Sequence, residues 1–536
     1  MRVVDQIAFT LKVAGVAHVF GLPGGASLPL IDGLRRCGID FILVRNESSA
    51  VFMAETTARL TGVPGVVLVT LGPGATNAYA GVANASLDRS PVLIFTADFP
   101  EEKKMGHTHQ VLDLEAIFLP VTKWTTSIEA KTAVETVQHA LEIAKNGRPG
   151  PVHLRLTGAV GDQVVSGMPS TVGRTHQFEQ ISPAAIKTAH RILSQAKQPV
   201  MVVGLGLEPE RPYVEIATLA DALGSPVIDL PKSKGAFPAD HPLFVGTIGL
   251  TQTDPAYELL NEADCILAVG FDPVELVKPW HQPAPLIWIS NWKNEDPKID
   301  ADAELIGSIV SALTNLVEAD VTPSDSWGTD RVTAFRKKQR SRSLPKPRAN
   351  QMLPQTVLNA MAEALPASTC ITTDVGSHKI LAALEWPATH PNRYMVSNGL
   401  SAMGFGLPSA IAANLVLNEP TVAIHGDGGF QMVMGELGLL TDSGRAVITV
   451  ILNDSALDLI RAKQLHRDED PYGTVFVNPN FADVARAYQL DYYLVADHLS
   501  CRNALKQAIG NGQPAIIEAL IDPVSYPTAV TMGGKP

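Results

Sequence analysis

The chain predicts an α/β protein built from three doubly wound parallel-sheet domains, and three observations carry that prediction. Short β-branched runs recur, each bounded by Gly, Pro or Asp and separated by helix-like stretches. These runs are apolar throughout instead of alternating, as strands covered on both faces by helices must be. They also fall into three blocks, divided by two polar stretches rich in Gly, Ser, Thr and Pro. At about 150 residues per domain, 536 residues suit three or four such units.

Taken in order, the opening MRVVDQIAFTLKVAG has an amphipathic helical pattern and lacks the basic, apolar and cleavage-site succession of a secretory leader. GVVLVT (65 to 70), PVLIFTAD (91 to 98) and PVHLRL (151 to 156) read as buried strands of a first domain, 1–165. QPVMVVGLG (198 to 206), CILAVGFD (265 to 272) and PLIWISN (285 to 291) define a central domain, 183–320. TCITTDVG (369 to 376), TVAIHGDG (421 to 428), VITVILND (447 to 454) and PAIIEALID (514 to 522) define a third, 351–530. The stretches 158–182 and 321–351 read as linkers. The basic cluster Arg336, Lys337, Lys338, Arg340 and Arg342 in the second reads as a solvated helix face, without the aromatic interleaving of a nucleic-acid patch.

Composition excludes several classes. There are 42 basic against 54 acidic side chains, a formal charge of −12, so no nucleic-acid partner is expected. Apolar stretches such as Phe405 to Leu417 are shorter than the roughly 20 residues that cross a bilayer. The four cysteines (Cys37, Cys265, Cys370, Cys501) form no Cys-x-x-Cys pair, which suits a reducing cytoplasm.

The chemistry-bearing signal lies in the third block. After TVAIH comes Gly426-Asp427-Gly428-Gly429-Phe430, then the helical stretch QMVMGELGLL. Glycines let main-chain amides approach a phosphate, and a following helix turns its positive end toward it. Asp427 would not face a bare phosphate; a divalent cation between them reconciles the charges. A second ligand is then needed from another strand end. VITVILND supplies Asn453 and Asp454, the latter 27 residues downstream of Asp427.

GDGGFQMVMGEL followed by VILND resembles the thiamine diphosphate (ThDP) signature of the acetolactate synthase and 2-oxo acid decarboxylase superfamily. Collinear matches extend along essentially the whole chain: VFGLPGGASLPLIDGL (19 to 34), RNESSAVFMAETTARLTG (45 to 62), LVTLGPGATNAYAGVANA (68 to 85), TDVGSH (373 to 378) and NGLSAMGFGLPSAIAA (398 to 413). The resemblance implies a pyrimidine-binding first domain, a central domain and a diphosphate-binding third domain. It places ThDP between two subunits, hence a homodimer or homotetramer, with Mg2+ held by Asp427, Asp454 and the carbonyl of Ala456. Asp454 stands where relatives have asparagine, and Asn453 is the alternative ligand. Gly376, Ser377, His378, Gly426, Gly428 and Gly429 would meet the diphosphate. Ser401 would offer its carbonyl, and Met403 its amide and its bulk, to the aminopyrimidine. Glu47 occupies the position of the carboxylate that serves N1′ of that ring, although relatives often have His-Glu-Gln-Gly where this chain has Asn46-Glu47-Ser48-Ser49. Glu436 fits a family position with a structural role.

On the substrate side, Gly25 and Ala26 lie in a loop that offers little bulk, as in acetolactate synthases, and carries no acid of the kind pyruvate decarboxylases place there. Gln110 fits the glutamine of the synthases' Phe-Gln pair, with His109 replacing the phenylalanine; His107 and His109 are candidates for proton relay. Lys463 and Gln464, on a helix expected to run over the site as a lid, fall near positions that meet a substrate carboxylate. The arginine-containing flavin signature is missing, so no FAD is expected, and VGLGLEP lacks the third glycine of a dinucleotide loop. The expected activity is decarboxylation of a small 2-oxo acid with transfer of the acyl anion to a second carbonyl. The alternatives are a simple decarboxylase, a non-catalytic ThDP-binding homologue and a flavin oxidase.

Overall fold

The computed structural model describes residues 1–100, 106, 109–166, 178–251, 254–276, 284–318, 327–341 and 343–526. Three six-stranded sheets account for the strands. The first runs β2-β1-β3-β4-β6-β5, with β1 His18–Leu22, β2 Asp40–Leu43, β3 Gly65–Val69, β4 Val92–Asp98, β5 Trp124–Ser127 and β6 Val152–Thr157. Every pair in it is parallel. Its core explains the sequence pattern. Val3, Val4, Ile7, Ala8 and Leu11 line one stripe of helix Val3–Val13, and Val137, Ala140 and Ala144 one stripe of helix Ala133–Lys145. Both stripes join Val66, Leu68, Leu93, Phe95, Val152 and Leu154 in one cluster. Fully burying each Val, Ile, Leu or Phe among them contributes roughly 1.5 to 3 kcal/mol.

The central sheet comprises β7 Pro199–Val203, β8 Val227–Asp229, β9 Phe244–Thr247, β10 Cys265–Val269, β11 Leu286–Ser290 and β12 Ala303–Ile306. Its order is β12-β11-β10-β7-β8-β9, and all its pairs are parallel. That is the 3-2-1-4-5-6 order of dinucleotide-binding folds, a topology the sequence reading did not foresee for a block lacking the glycine fingerprint. Separate apolar clusters cover its two faces.

The third sheet runs β14-β13-β15-β16-β18-β17, repeating the order of the first. Its strands are β13 Cys370–Thr373, β14 Tyr394–Val396, β15 Thr421–Gly426, β16 Val447–Asn453, β17 Asp491–Val495 and β18 Ala515–Leu520.

Two readings of the sequence need correction. The stretch 321–351 is not simply a linker, because Gly328–Arg340 is a helix whose Val332 and Phe335, with Trp327 just before it, are buried in the core of the central sheet. Its basic residues are not merely solvated. Arg336 donates to the carbonyls of Ala239 and His241 at 3.1 and 2.7 Å, and Lys338 pairs with Glu258 at 2.7 Å. Arg342 lies outside the described residues. The helix after the Gly-Asp-Gly turn is also not continuous: Asp427–Val433 gives way to a 3-10 turn at Met434–Glu436 and then to helix Leu437–Ser443.

The chain forms two compact units. One comprises Met1–His176 with Leu400–Glu419 and Gln431–Val447; the other comprises Gln177–Gly399, Pro420–Phe430 and Ile448–Pro536. Among the described residues no helix is long and apolar enough to cross a membrane. All four cysteines are free, and Cys265, Cys370 and Cys501 are buried.

Candidate active site

In the first unit, the chain leaves β2 and starts helix Glu47–Thr61 with Asn46, whose extended backbone and side chain cap it by accepting from the Ser48 N–H at 2.9 Å. Glu47 is the first helical residue and is only 6% exposed. Its Oε2 accepts from Asn77 Nδ2 at 3.1 Å, while Ser48 Oγ donates to the Asn77 carbonyl at 2.5 Å. Gly74 keeps this corner open: a Cβ there would sit 2.7 Å from Thr70 Cγ2 and 3.4 Å from Glu47 Oε1. Behind the helix start, the buried Glu436 carboxylate accepts from the Arg45 N–H with both oxygens at 3.1 Å and from the Asn46 N–H at 3.0 Å. Burial pushes the Glu436 carboxyl up, and its bonds from the Arg45 and Asn46 amides oppose the shift.

The same unit carries the predicted ring and substrate residues. Ser401 holds φ 55°, a left-handed conformation that re-aims its carbonyl. Met403 is half-buried. Phe405, two residues on, meets Phe52 of the Glu47 helix edge-on with ring centroids 5.5 Å apart. A short 3-10 turn, Gly25–Ser27, holds Gly25 and Ala26, and Ser27 Oγ bonds the Gly24 main chain at 2.8 and 2.9 Å. Among the described residues nothing lies within 4 Å of a Cβ built on Gly25. Gln110 is exposed, with φ 62°, and its Cβ would lie 3.0 Å from a Cβ on Gly72, itself at φ 58°; only glycine at 72 allows that approach. His109 is exposed, and His107 lies outside the described residues.

In the second unit, Asp374 follows the end of β13, and Gly376, Ser377 and His378 turn the chain into helix Ser377–Glu385. The His378 ring fills the gap between two strand ends. A Cβ on Gly426 would stand 3.1 Å from its Cε1, and His378 Nε2 accepts from the Gly426 N–H at 3.2 Å. Burial drives His378 down to about 4, so it is a neutral imidazole. Beneath it, His425 Nδ1 lies 3.2 Å from Asp374 Oδ2, both fully buried. Burial pushes Asp374 up, but the charge and hydrogen bond of His425 outweigh it and hold the carboxyl below its usual range. Ser377 Oγ donates to Asp458 at 3.0 Å, and Asp458 also pairs with Arg461 at 2.6 Å.

Asp427 is fully buried. Its Oδ1 accepts from the Gly428 N–H at 2.9 Å, and its Oδ2 accepts from the Ser455 N–H at 2.7 Å and from Asn478 Nδ2 at 2.6 Å. Asn453 is committed elsewhere: its Nδ2 donates to Glu518 at 2.6 Å, and its Oδ1 accepts from Asn478 at 2.9 Å. Asp454 differs. Its Oδ2 is buried and accepts no hydrogen bond among the described residues, with the Arg461 guanidinium at 4.0 Å. Burial, and then the charges of Asp427 and Asp458, push Asp454 up to about 8. An orphaned carboxylate oxygen beside a second buried carboxylate suits a divalent cation, so these residues fit Mg2+. Among the described residues no group of three or more His, Cys, Asp or Glu could hold a metal by side chains alone; Mg2+ is ordinarily held by one or two carboxylates, with other oxygen ligands completing its octahedron. Lys463 is exposed on helix Asp458–His466, and Gln464 holds the following loop through Tyr472 and Thr474, each at 3.0 Å.

Among the described residues the central sheet shows no such cradle at its crest. Where doubly wound sheets receive a nucleotide, the Glu275 carboxylate accepts from the Leu205 N–H at 2.7 Å and the Lys232 N–H at 3.2 Å. Burial pushes Glu275 up to about 8.

Reasoning from the sequence missed Asn77, Asn478, Asp374, His425, Asp458 and Arg461 as partners of the site. Asn77 lay inside a quoted motif, LGPGATNAYAG, but a pairing across 30 residues leaves no local signal.

The chain belongs to the thiamine pyrophosphate enzyme family: residues 1–117 match its N-terminal TPP binding domain, 186–316 its central domain and 374–519 its C-terminal TPP binding domain. Within that family it is similar to acetolactate synthases along nearly its whole length. It is 32% identical to the acetolactate synthase large subunit of Lactococcus lactis subsp. lactis, over 96% of this chain and 91% of that one. It is 30% identical to the acetolactate synthase isozyme 3 large subunit of Escherichia coli (99% and 97%), and 28% identical to the acetolactate synthase of Bacillus subtilis (97% and 93%). It is a ThDP-dependent enzyme of the acetolactate synthase-like kind.

Proposed function

We propose that the protein is a ThDP- and Mg2+-dependent carboligase that decarboxylates a small 2-oxo acid and joins the acyl unit to a second carbonyl compound. The observation that carries this reading is the buried Glu47 carboxylate beside a crest of small residues, with no acid in the Gly24–Ala26 loop. When bound, the cofactor's thiazolium supplies the electron sink that decarboxylation needs. Glu47 holds or releases the proton at N1′ of the aminopyrimidine. The Ser401 carbonyl and the Met403 amide orient that ring. Asp427, Asp454 and the Ala456 carbonyl hold Mg2+, while the main chain of Gly376, Ser377, His378, Gly426, Gly428 and Gly429 surrounds the diphosphate. Asp454 rather than Asn453 is the ligand in this reading, because the Asn453 amide is engaged by Glu518 and Asn478.

Gly25, Ala26 and Gln110 face the reacting carbonyls, and the lack of a proton-donating acid in the loop favours addition over protonation. His107, His109, Lys463 and Gln464 are secondary candidates for proton relay and carboxylate binding. The same reading includes domains 1–165, 183–320 and 351–530, a homodimer or homotetramer, and a cytoplasmic setting supported by four free cysteines. Incubating the holoenzyme with pyruvate and other 2-oxo acids, and measuring acyloin against aldehyde, tests it. Acyloin or acetohydroxy acid is the expected product; aldehyde alone would make the protein a simple decarboxylase.

A further inference from the structure

We propose that Asn77 is a positioning residue for Glu47, holding one carboxylate oxygen so that the other faces the aminopyrimidine. The inference rests on the reading that Glu47 serves that ring. Asn77 sits one turn into helix Pro73–Leu87 and reaches the first turn of helix Glu47–Thr61 twice, through Asn77 Nδ2 to Glu47 Oε2 at 3.1 Å and through Ser48 Oγ to its own carbonyl at 2.5 Å. An ionised carboxylate only accepts, so the amide must present its NH2 to Glu47, which fixes the orientation of the side chain. Glu47 Oε1, by contrast, accepts no hydrogen bond among the described residues, and the absence of a Cβ at Gly74 leaves the space beside it open. The two oxygens therefore have separate tasks. The Asn77 donor on Oε2 removes the rotational freedom of a long side chain at the moment Oε1 must meet a ring nitrogen.

Holoenzyme variants Asn77→Ala, Asn77→Asp and Asn77→Ser test this beside Glu47→Gln. Three quantities are read: ThDP affinity by titrating intrinsic fluorescence in saturating Mg2+, the rate of C2 deuterium exchange by quench and proton NMR, and the near-ultraviolet circular dichroism of the bound aminopyrimidine. Asn77→Ala should keep its affinity within about threefold of the parent yet slow exchange roughly tenfold, the loss of one hydrogen bond to a charged group. Asn77→Asp should slow exchange on the order of a hundredfold, because a second carboxylate replaces the donor. Asn77→Ser, which keeps a donor on a shorter stem, should recover part of the rate, and the dichroism should change in the same order. A role limited to packing gives the reverse order, with the isosteric Asn77→Asp the mildest, and would overturn the proposal. So would wild-type exchange in the Asn77 variants when Glu47→Gln abolishes it. If Glu47→Gln itself exchanges normally, the reading of Glu47 has failed instead.

Discussion

The first and third sheets share one strand order, yet their crests carry opposite kinds of chemistry. At the first, the buried Glu47 stands beside glycines and its one side-chain partner among the described residues is an amide, while the nearby Glu436 carboxylate is taken up by the Arg45 and Asn46 N–H groups. At the third, Asp374, Asp427, Asp454 and Asp458 come from strand ends or just beyond them and are balanced by His425, Arg461 and main-chain N–H groups, with one carboxylate oxygen left unbonded. A single acid can tune a neutral heterocycle, whereas a cluster of acids with an unmet acceptor is built around a cation. The comparison teaches that the frame sets where strand ends converge and the residues placed there set the ligand.

The largest effect should come from the third crest. Asp427→Ala should abolish ThDP binding, read as loss of the rise in melting temperature that ThDP and Mg2+ together give the parent. Chelating the metal from the parent should do the same, reversibly. At the first crest, Glu47→Gln should leave that rise intact and cut C2 deuterium exchange on the order of a hundredfold or more. Equal loss of binding in both variants would erase the distinction between the two crests.

A smaller effect is expected at Glu436, whose removal strands the Arg45 and Asn46 N–H groups at the start of the Glu47 helix. Glu436→Ala should destabilise the protein by about 1 to 3 kcal/mol in denaturant titration, at roughly 0.5 to 1.5 kcal/mol for the hydrogen bonding lost at each of the two N–H groups.

The smallest concerns the central sheet, at whose crest the buried Glu275 carboxylate accepts from the Leu205 and Lys232 N–H groups. Glu275 is pushed from an ordinary value of 4.5 up to about 8, so between those pH values the folded chain holds a proton that the unfolded chain gives up. Stability from this group is therefore greatest below pH 4.5 and falls as pH rises toward 8. Melting temperature should drop less between pH 5.5 and 8 in Glu275→Gln than in the parent; an unchanged slope would contradict the assignment.

The long apolar runs were legible because burial on both faces leaves no room for polar residues, which is why GVVLVT and VITVILND read as strands. The missed strands are short and mostly near sheet edges. β2 Asp40–Leu43, for instance, is exposed at both ends, so its sequence carries no continuous apolar signature. The helix Gly328–Arg340 escaped because Val332 and Phe335 are the buried large apolar side chains on it among the described residues, too few to stand out among its charges.

By itself, the order of residues along the chain determined the three α/β blocks, the Gly-Asp-Gly turn with its Asn-Asp strand end, and the candidacy of Glu47, since each is written in consecutive residues. Only the tertiary structure decided that the outer sheets share a strand order, that Asn77 bonds Glu47, that Asn453 is occupied while Asp454 Oδ2 accepts no hydrogen bond among the described residues, and that Glu275 bonds the Leu205 and Lys232 N–H groups. The reason is physical: a strand or turn is specified by its neighbours in sequence, but a hydrogen bond across 30 to about 400 residues exists only once the fold has brought its partners to about 3 Å.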